Sequence, residues 1–222
     1  MHHCRVLVPL LLSAAVLPFA TRAAASLLVD DAGITDARQC QLESWVRQTR
    51  HGQEWTAVPA CTVADTEWSL GLTRLPGQPA TQWAVGAKRV LVAQVQRRWG
   101  LAASAGLGGT AHRPRSNDWT LTVPLTIALD AQHRGQLHLN LGWAHHAHVQ
   151  GRTHGAGIEV ALHRHWSLLA DSARDADRQR SSQLGLRRGL WPGASVDLLA
   201  GQVHHQRDTR WLTLGFNLAA LP

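Results

Sequence analysis

Three sets of residues in this sequence have the types and spacing for chemistry. In the first, His165, Ser167 and Asp171 fall at odd positions of one apolar-rich stretch, so alternation along a strand would put them on one face. A serine nucleophile needs its base within about 3 Å and a third group to orient that base. Residues two apart on a strand hold their Cβ atoms about 7 Å apart, and the chain has no Gly-x-Ser-x-Gly turn. No catalytic residue is assigned, the chain is read as not an enzyme, and a lipid hydrolase is the last of the alternatives.

Histidine is the second set, 14 in all. His145, His146, His148 and His154 crowd one expected loop, and His204 and His205 another. Neutral imidazoles can hold Zn, Cu or Ni. A structural zinc site wants four fixed ligands, often including Cys or carboxylate. No metal and no other cofactor is expected here.

The third set is larger and mixed in sign: Glu43, Arg47, Glu67, Lys88, His138, Asn140, Glu159, His163, Asp171, Arg187 and Asp197. Each falls on the less apolar face of an alternating stretch. Together they could line a polar conduit for small solutes, or staple a closed interior through Arg–carboxylate pairs.

The elements that must position these groups are strands. No helical period of apolar residues persists beyond the first segment, whereas period two recurs throughout. In Trp119–Ile127, Trp119, Leu121, Val123, Leu125 and Ile127 alternate with Thr120, Thr122, Pro124 and Thr126. Leu212, Leu214, Phe216 and Leu218 share one face near the C-terminus. Strands are expected at about 40–48, 54–62, 66–75, 81–93, 97–108, 118–129, 136–145, 155–163, 165–173, 180–188, 194–203 and 209–218. Twelve strands of about ten residues suit a tilted crossing of a bilayer, and one miscounted hairpin near Arg164 would leave ten. The expected fold is all-β, an antiparallel up-and-down transmembrane barrel.

Composition narrows the alternatives. The 222-residue chain is 45% hydrophobic and 17% charged, with ten Trp and no Tyr. Mean hydropathy is −0.15. These values exclude a polytopic helical membrane protein and a disordered chain, but not a barrel, whose strands alternate. A soluble lipid-binding barrel would also alternate. Gly, Ser, Thr and Asn opposite the apolar faces make a poor dry core and a better wet lumen, and Trp at strand ends suits a membrane interface.

Met1–Arg5 is a short basic start, Val6–Ala20 an apolar run, and Ala23–Ala25 a small-residue cleavage site. Residues 1–25 are expected to be a signal peptide, 26–39 a periplasmic N-terminal segment and 40–222 the barrel. Export leaves Cys40 and Cys61, which suits one disulfide. A hairpin turning at Arg50–Gly52 sets Cys40 opposite Cys61, Arg47 opposite Glu54 and Val46 opposite Trp55. Net charge is +7. Nucleic acid is not the expected partner, because the chain is exported and its cations are dispersed. Arg113, Arg115, Arg152, Arg174, Arg178, Arg180, Arg207 and Arg210 fall in or beside the expected outward loops, where lipopolysaccharide phosphates could pair with them.

Asp30-Asp31-Ala32-Gly33 and Cys40-Gln-Leu-Glu-Ser-Trp45 resemble the start of proteobacterial outer-membrane barrels of the transporter-like or phenol-degradation-associated type. Pro59-Ala-Cys61, Leu137–Trp143 and Trp211–Gly215 extend the resemblance. It implies a Gram-negative outer-membrane barrel, assembled by the barrel-assembly machinery, and supplies no catalytic residues. The expected function is a small porin-like or transporter-like pore for an unnamed small solute. A closed structural or surface-binding barrel is the alternative, and a soluble periplasmic lipid-binding barrel comes next.

Overall fold

The computed structural model describes residues 26–78, 80–111, 118–146, 148–206 and 209–221, so the expected signal peptide lies outside the described residues. Twelve antiparallel strands follow one another in chain order: β1 (Cys40–Thr49), β2 (Gly52–Val63), β3 (Thr66–Arg74), β4 (Thr81–Val92), β5 (Trp99–Thr110), β6 (Asp118–Ala128), β7 (Gly135–His146), β8 (Val149–His163), β9 (Trp166–Arg174), β10 (Arg180–Trp191), β11 (Ala194–Val203) and β12 (Arg210–Leu221). Each pairs with its neighbours in sequence, and β12 closes on β1. Closure leaves no unpaired edge. One short 3-10 turn, Gln94–Gln96, interrupts the β4–β5 connection.

Alternation explains the strands, and backbone conformation explains several turns. Ala64 and Asp65 both adopt positive φ, 50° and 61°, which is the twist of a two-residue hairpin turn. Pro192-Gly193, with Gly193 at φ 82°, joins β10 to β11. The β7–β8 connection departs from expectation. The anticipated loop 146–154 contracts to residues 147–148 because β8 already begins at Val149. Gly151, Thr153 and Gly155 continue the inner face there, while Gln150, Arg152 and His154 continue the outer one.

The wall sorts residues by face. Outside, Leu107, Leu141 and Leu214 are 60%, 69% and 57% exposed, and similar apolar side chains recur on every strand from β2 to β12. Water would solvate such a belt poorly, and hydrocarbon would solvate it well. Inside, Thr213 and Asp197 are fully buried. Eight of the ten Trp occupy the outer face. Trp45 and Trp211 do not: they share the inner face with Glu43 and Arg47. Glycine makes the room, since Gly215 lies opposite Trp45 and a Cβ at Gly201 would run into the Trp211 ring.

The β1–β2 hairpin adopts the register read from its sequence, with Cys40 opposite Cys61 and Arg47 opposite Glu54. Cys40 and Cys61 form a disulfide, and the Arg47 and Glu54 side chains approach to 3.7 Å. Closing a loop of this size constrains the unfolded chain by about 3 kcal/mol. Cys40→Ser with Cys61→Ser should therefore lower the urea midpoint of the barrel without changing its unboiled gel mobility. An unchanged midpoint would show that the bridge adds nothing to a hairpin already held by closure.

Candidate functional site: the barrel interior and its strap

Residues 26–35 do not stay outside the wall, where the sequence placed them. They run around the inside of the barrel and touch it strand after strand. Ser26 Oγ donates to Asp197 Oδ2 on β11 at 3.1 Å, and its carbonyl accepts from Gln183 Nε2 on β10 at 3.0 Å. The Leu28 N–H donates to Asp171 Oδ2 on β9 at 3.1 Å. Val29, 1% exposed, seats against Gly155 and Gly157 on β8. Any Cβ at Gly155 would meet Val29 Cγ2 at 2.7 Å, so the wall is built from glycine where the strap passes. Asn140 on β7, its amide turned to suit its neighbours, exchanges two 2.8 Å hydrogen bonds with the backbone of Asp30.

The strap then continues toward β2. Lys88 Nζ on β4 donates to Asp30 Oδ1 at 2.8 Å and to Asp31 Oδ1 at 3.3 Å. The Ala32 N–H donates to Thr126 Oγ1 on β6 at 2.9 Å, and Thr126 is 3.0 Å from His138 Nδ1. Thr35 donates to Glu67 Oε2 on β3 from both its N–H and its hydroxyl, each at 2.8 Å. The Arg38 N–H reaches Thr62 O on β2, and the chain enters β1.

A second cluster braces the wall beneath the strap. Arg187, 1% exposed, lies between two carboxylates. Its Nε and Nη2 grip Asp197 at 2.7 and 3.0 Å, and its Nη1 donates to Glu159 Oε2 at 3.2 Å. Two parallel bonds to one carboxylate are the strong, planar form of this pair. Asn217 Nδ2 adds a bond to Asp197 Oδ2 at 3.2 Å.

Of the residues singled out from sequence, Glu43, Glu67, His138, Glu159, Asp171, Arg187 and Asp197 are buried inside the wall. Arg47, Lys88 and Asn140 share their face, and Arg47 also lies 5.2 Å from the centroid of the Trp211 ring. His163 does not join them. A register shift between Ala161 and His163 breaks the alternation, so His163 pairs with outward-facing Trp166 and is exposed. Ser167 and Asp171 face inward, whereas His165 lies in the β8–β9 turn and is exposed, so His165 and Ser167 share no face.

The histidine cluster disperses too. His145 stacks on Trp119 outside, while His146 Nδ1 is 2.9 Å from Asp118 Oδ2. His154 lies within β8, and His204 Nε2 is 2.9 Å from Ser182 Oγ. Among the described residues no three His, Cys, Asp or Glu side chains are grouped to hold a metal ion. Arg113, Arg115 and Arg207 lie outside the described residues. Arg152 covers Trp143, and Arg180 donates to Ser172 Oγ at 3.1 Å, both on the outer face. The strap itself had one signal in the sequence: Gly155 and Gly157 at successive inner positions of β8 leave the space in which Val29 seats.

A family model described as "Uncharacterised conserved protein UCP029691" matches residues 11–220. No curated protein matches the chain. Several solved barrels share the fold at very low identity. The KdgM porin aligns with a TM-score of 0.66 at 10% identity, over 80% of this chain and 98% of that one. The NanC porin gives 0.60 at 8%, over 82% and 100%. The Acinetobacter baumannii outer membrane protein Omp33 gives 0.59 at 9%, over 82% and 97%. One KdgM structure is described as a complex with disordered oligogalacturonate.

Proposed function

Since the chain belongs to that uncharacterised family and folds as a porin-like barrel, we propose that it is an outer-membrane pore for small solutes, closed at rest by its own N-terminal strap. The carrying observation is the course of residues 26–35 along the inside of the barrel, tied to β2, β3, β4, β6, β7, β9, β10 and β11. The outer apolar belt and the outward Trp support the membrane setting. Residues 1–25 supply the export signal in this reading.

A strap of this kind can leave without unfolding its host. The strand ladder closes through β1 and β12 and does not pass through residues 26–35. The strap's links are separate hydrogen bonds, each worth about 0.5–1.5 kcal/mol net between neutral groups and about 1.5–3 kcal/mol to a charged one, and water in an opened lumen can replace them. The apolar part is confined to Val29 and its neighbours.

The test is planar-bilayer recording of the heat-modifiable barrel purified from outer membranes, with and without residues 26–35. The intact protein should conduct rarely and briefly, and the shortened one should show sustained steps. A folded, shortened barrel without conductance would replace the pore with the closed structural reading.

A further inference from the structure

We propose that the lumen selects for cationic solutes and turns polyanions away, a specificity that rests on the pore reading above. The chain as a whole is basic, with 22 Lys and Arg against 15 Asp and Glu. Its inner face inverts that balance. Glu54 and Asp118 occupy inner positions, opposite Arg47 and Gly108 respectively. They join the five carboxylates already placed there: Glu43, Glu67, Glu159, Asp171 and Asp197. Arg47, Lys88 and Arg187 are the only Lys or Arg on the inner face of the described strands. Seven acids against three bases leave a formal excess of four negative charges on the wall.

The sign does not depend on the strap. With the strap in place, Asp30 and Asp31 bring two more carboxylates to Lys88. With it gone, the wall keeps its excess, and neutralising any two of the seven acids leaves the sign unchanged. His138 and His146 are the remaining titratable inner groups of β7.

Two further observations point the same way. The interior already holds one organic cation: the Arg187 guanidinium, buried between Asp197 and Glu159. Beside it, His138, Glu159 and Asp171 pack with Val29 of the strap around a gap too small for a water molecule. Asp171 Oδ1 and His138 Nε2 are buried there without a hydrogen-bond partner among the described residues, although both residues are more than nine-tenths buried. A carboxylate oxygen is an acceptor that a positively charged donor satisfies best. Low-dielectric walls focus such a field along the axis, and rings of Asp and Glu make cation-selective pores. Oligogalacturonate, the polyanion described with the KdgM porin, would meet repulsion in this lumen.

Reversal potentials decide the matter. The barrel lacking residues 26–35 is recorded under a tenfold KCl gradient, beside the same barrel carrying Glu54→Gln and Asp118→Asn. These two sites lie toward the end away from the strap, so the substitutions spare the Arg187 cluster. The parent should pass potassium several-fold more readily than chloride, and the double variant should lose part of that preference. Conductance with no preference, or with preference for chloride, overturns the cation assignment and leaves the pore standing. No conductance overturns both.

Discussion

Arg187→Ala should be the most damaging single substitution in the wall, costing about 3–5 kcal/mol. The guanidinium is 1% exposed and answers two carboxylates that are themselves buried. Its removal leaves Asp197 and Glu159 facing each other across a dry space, and an uncompensated buried charge costs far more than the pair contributed. Asp197 also holds Ser26 of the strap and Asn217 of the closing strand, so the damage should spread to the β11–β12 seam. Urea unfolding, followed by gel mobility and by Trp fluorescence, measures it.

The compensated variant separates charge from shape. Arg187→Met together with Asp197→Asn and Glu159→Gln removes the three hydrogen-bonded charges while keeping most of their volume. It should recover most of the lost stability, because neutral replacements need no counter-ion. If Arg187→Ala shifts the midpoint by less than about 1 kcal/mol, water enters the cluster freely and the interior is wetter than its burial implies. If the triple variant is no better than the single one, the guanidinium acts through packing instead of charge.

Much of this architecture was legible in the sequence because a barrel wall is a period-two object. Trp119–Ile127 and Leu137–Trp143 declare their two faces residue by residue, and the wall obeys. The β1–β2 register was legible for the same reason: one alignment satisfied a bridge, an ion pair and an apolar pair together. His163 escaped because a bulge inserts a residue that no periodicity announces. His165 escaped because a two-residue turn ends the alternation just before β9.

The strap was the largest departure, and its cause is physical. Ser26–Thr35 has no period, since it is neither strand nor helix and its partners come from nine different strands. Its backbone polar groups must be satisfied inside the barrel, and the wall supplies Asp171, Asn140, Thr126 and Glu67 for that purpose. From the sequence these residues could be read as lining a conduit. In the fold they hold the segment that fills it. Only the inner glycines of β8 hinted at a resident, through volume left empty.

Locking that resident in place should silence the pore reversibly. A Cβ built at Gly157 lies 3.4 Å from Val29 Cβ, close to the separation of about 3.5–4.5 Å that disulfides require. Val29→Cys with Gly157→Cys should therefore tie the strap to β8 when oxidised. Wild-type openings need the strap to leave the inner wall, and the tie forbids that. The oxidised variant should show no openings at voltages where the wild type opens, and reduction should bring them back. Wild type treated with the same reductant controls for loss of the Cys40–Cys61 bridge, which lies on the outer face and should leave gating unchanged. If the cross-linked protein conducts as often as the wild type, the strap is not the closure, and the current takes a path along the wall that residues 26–35 do not cover.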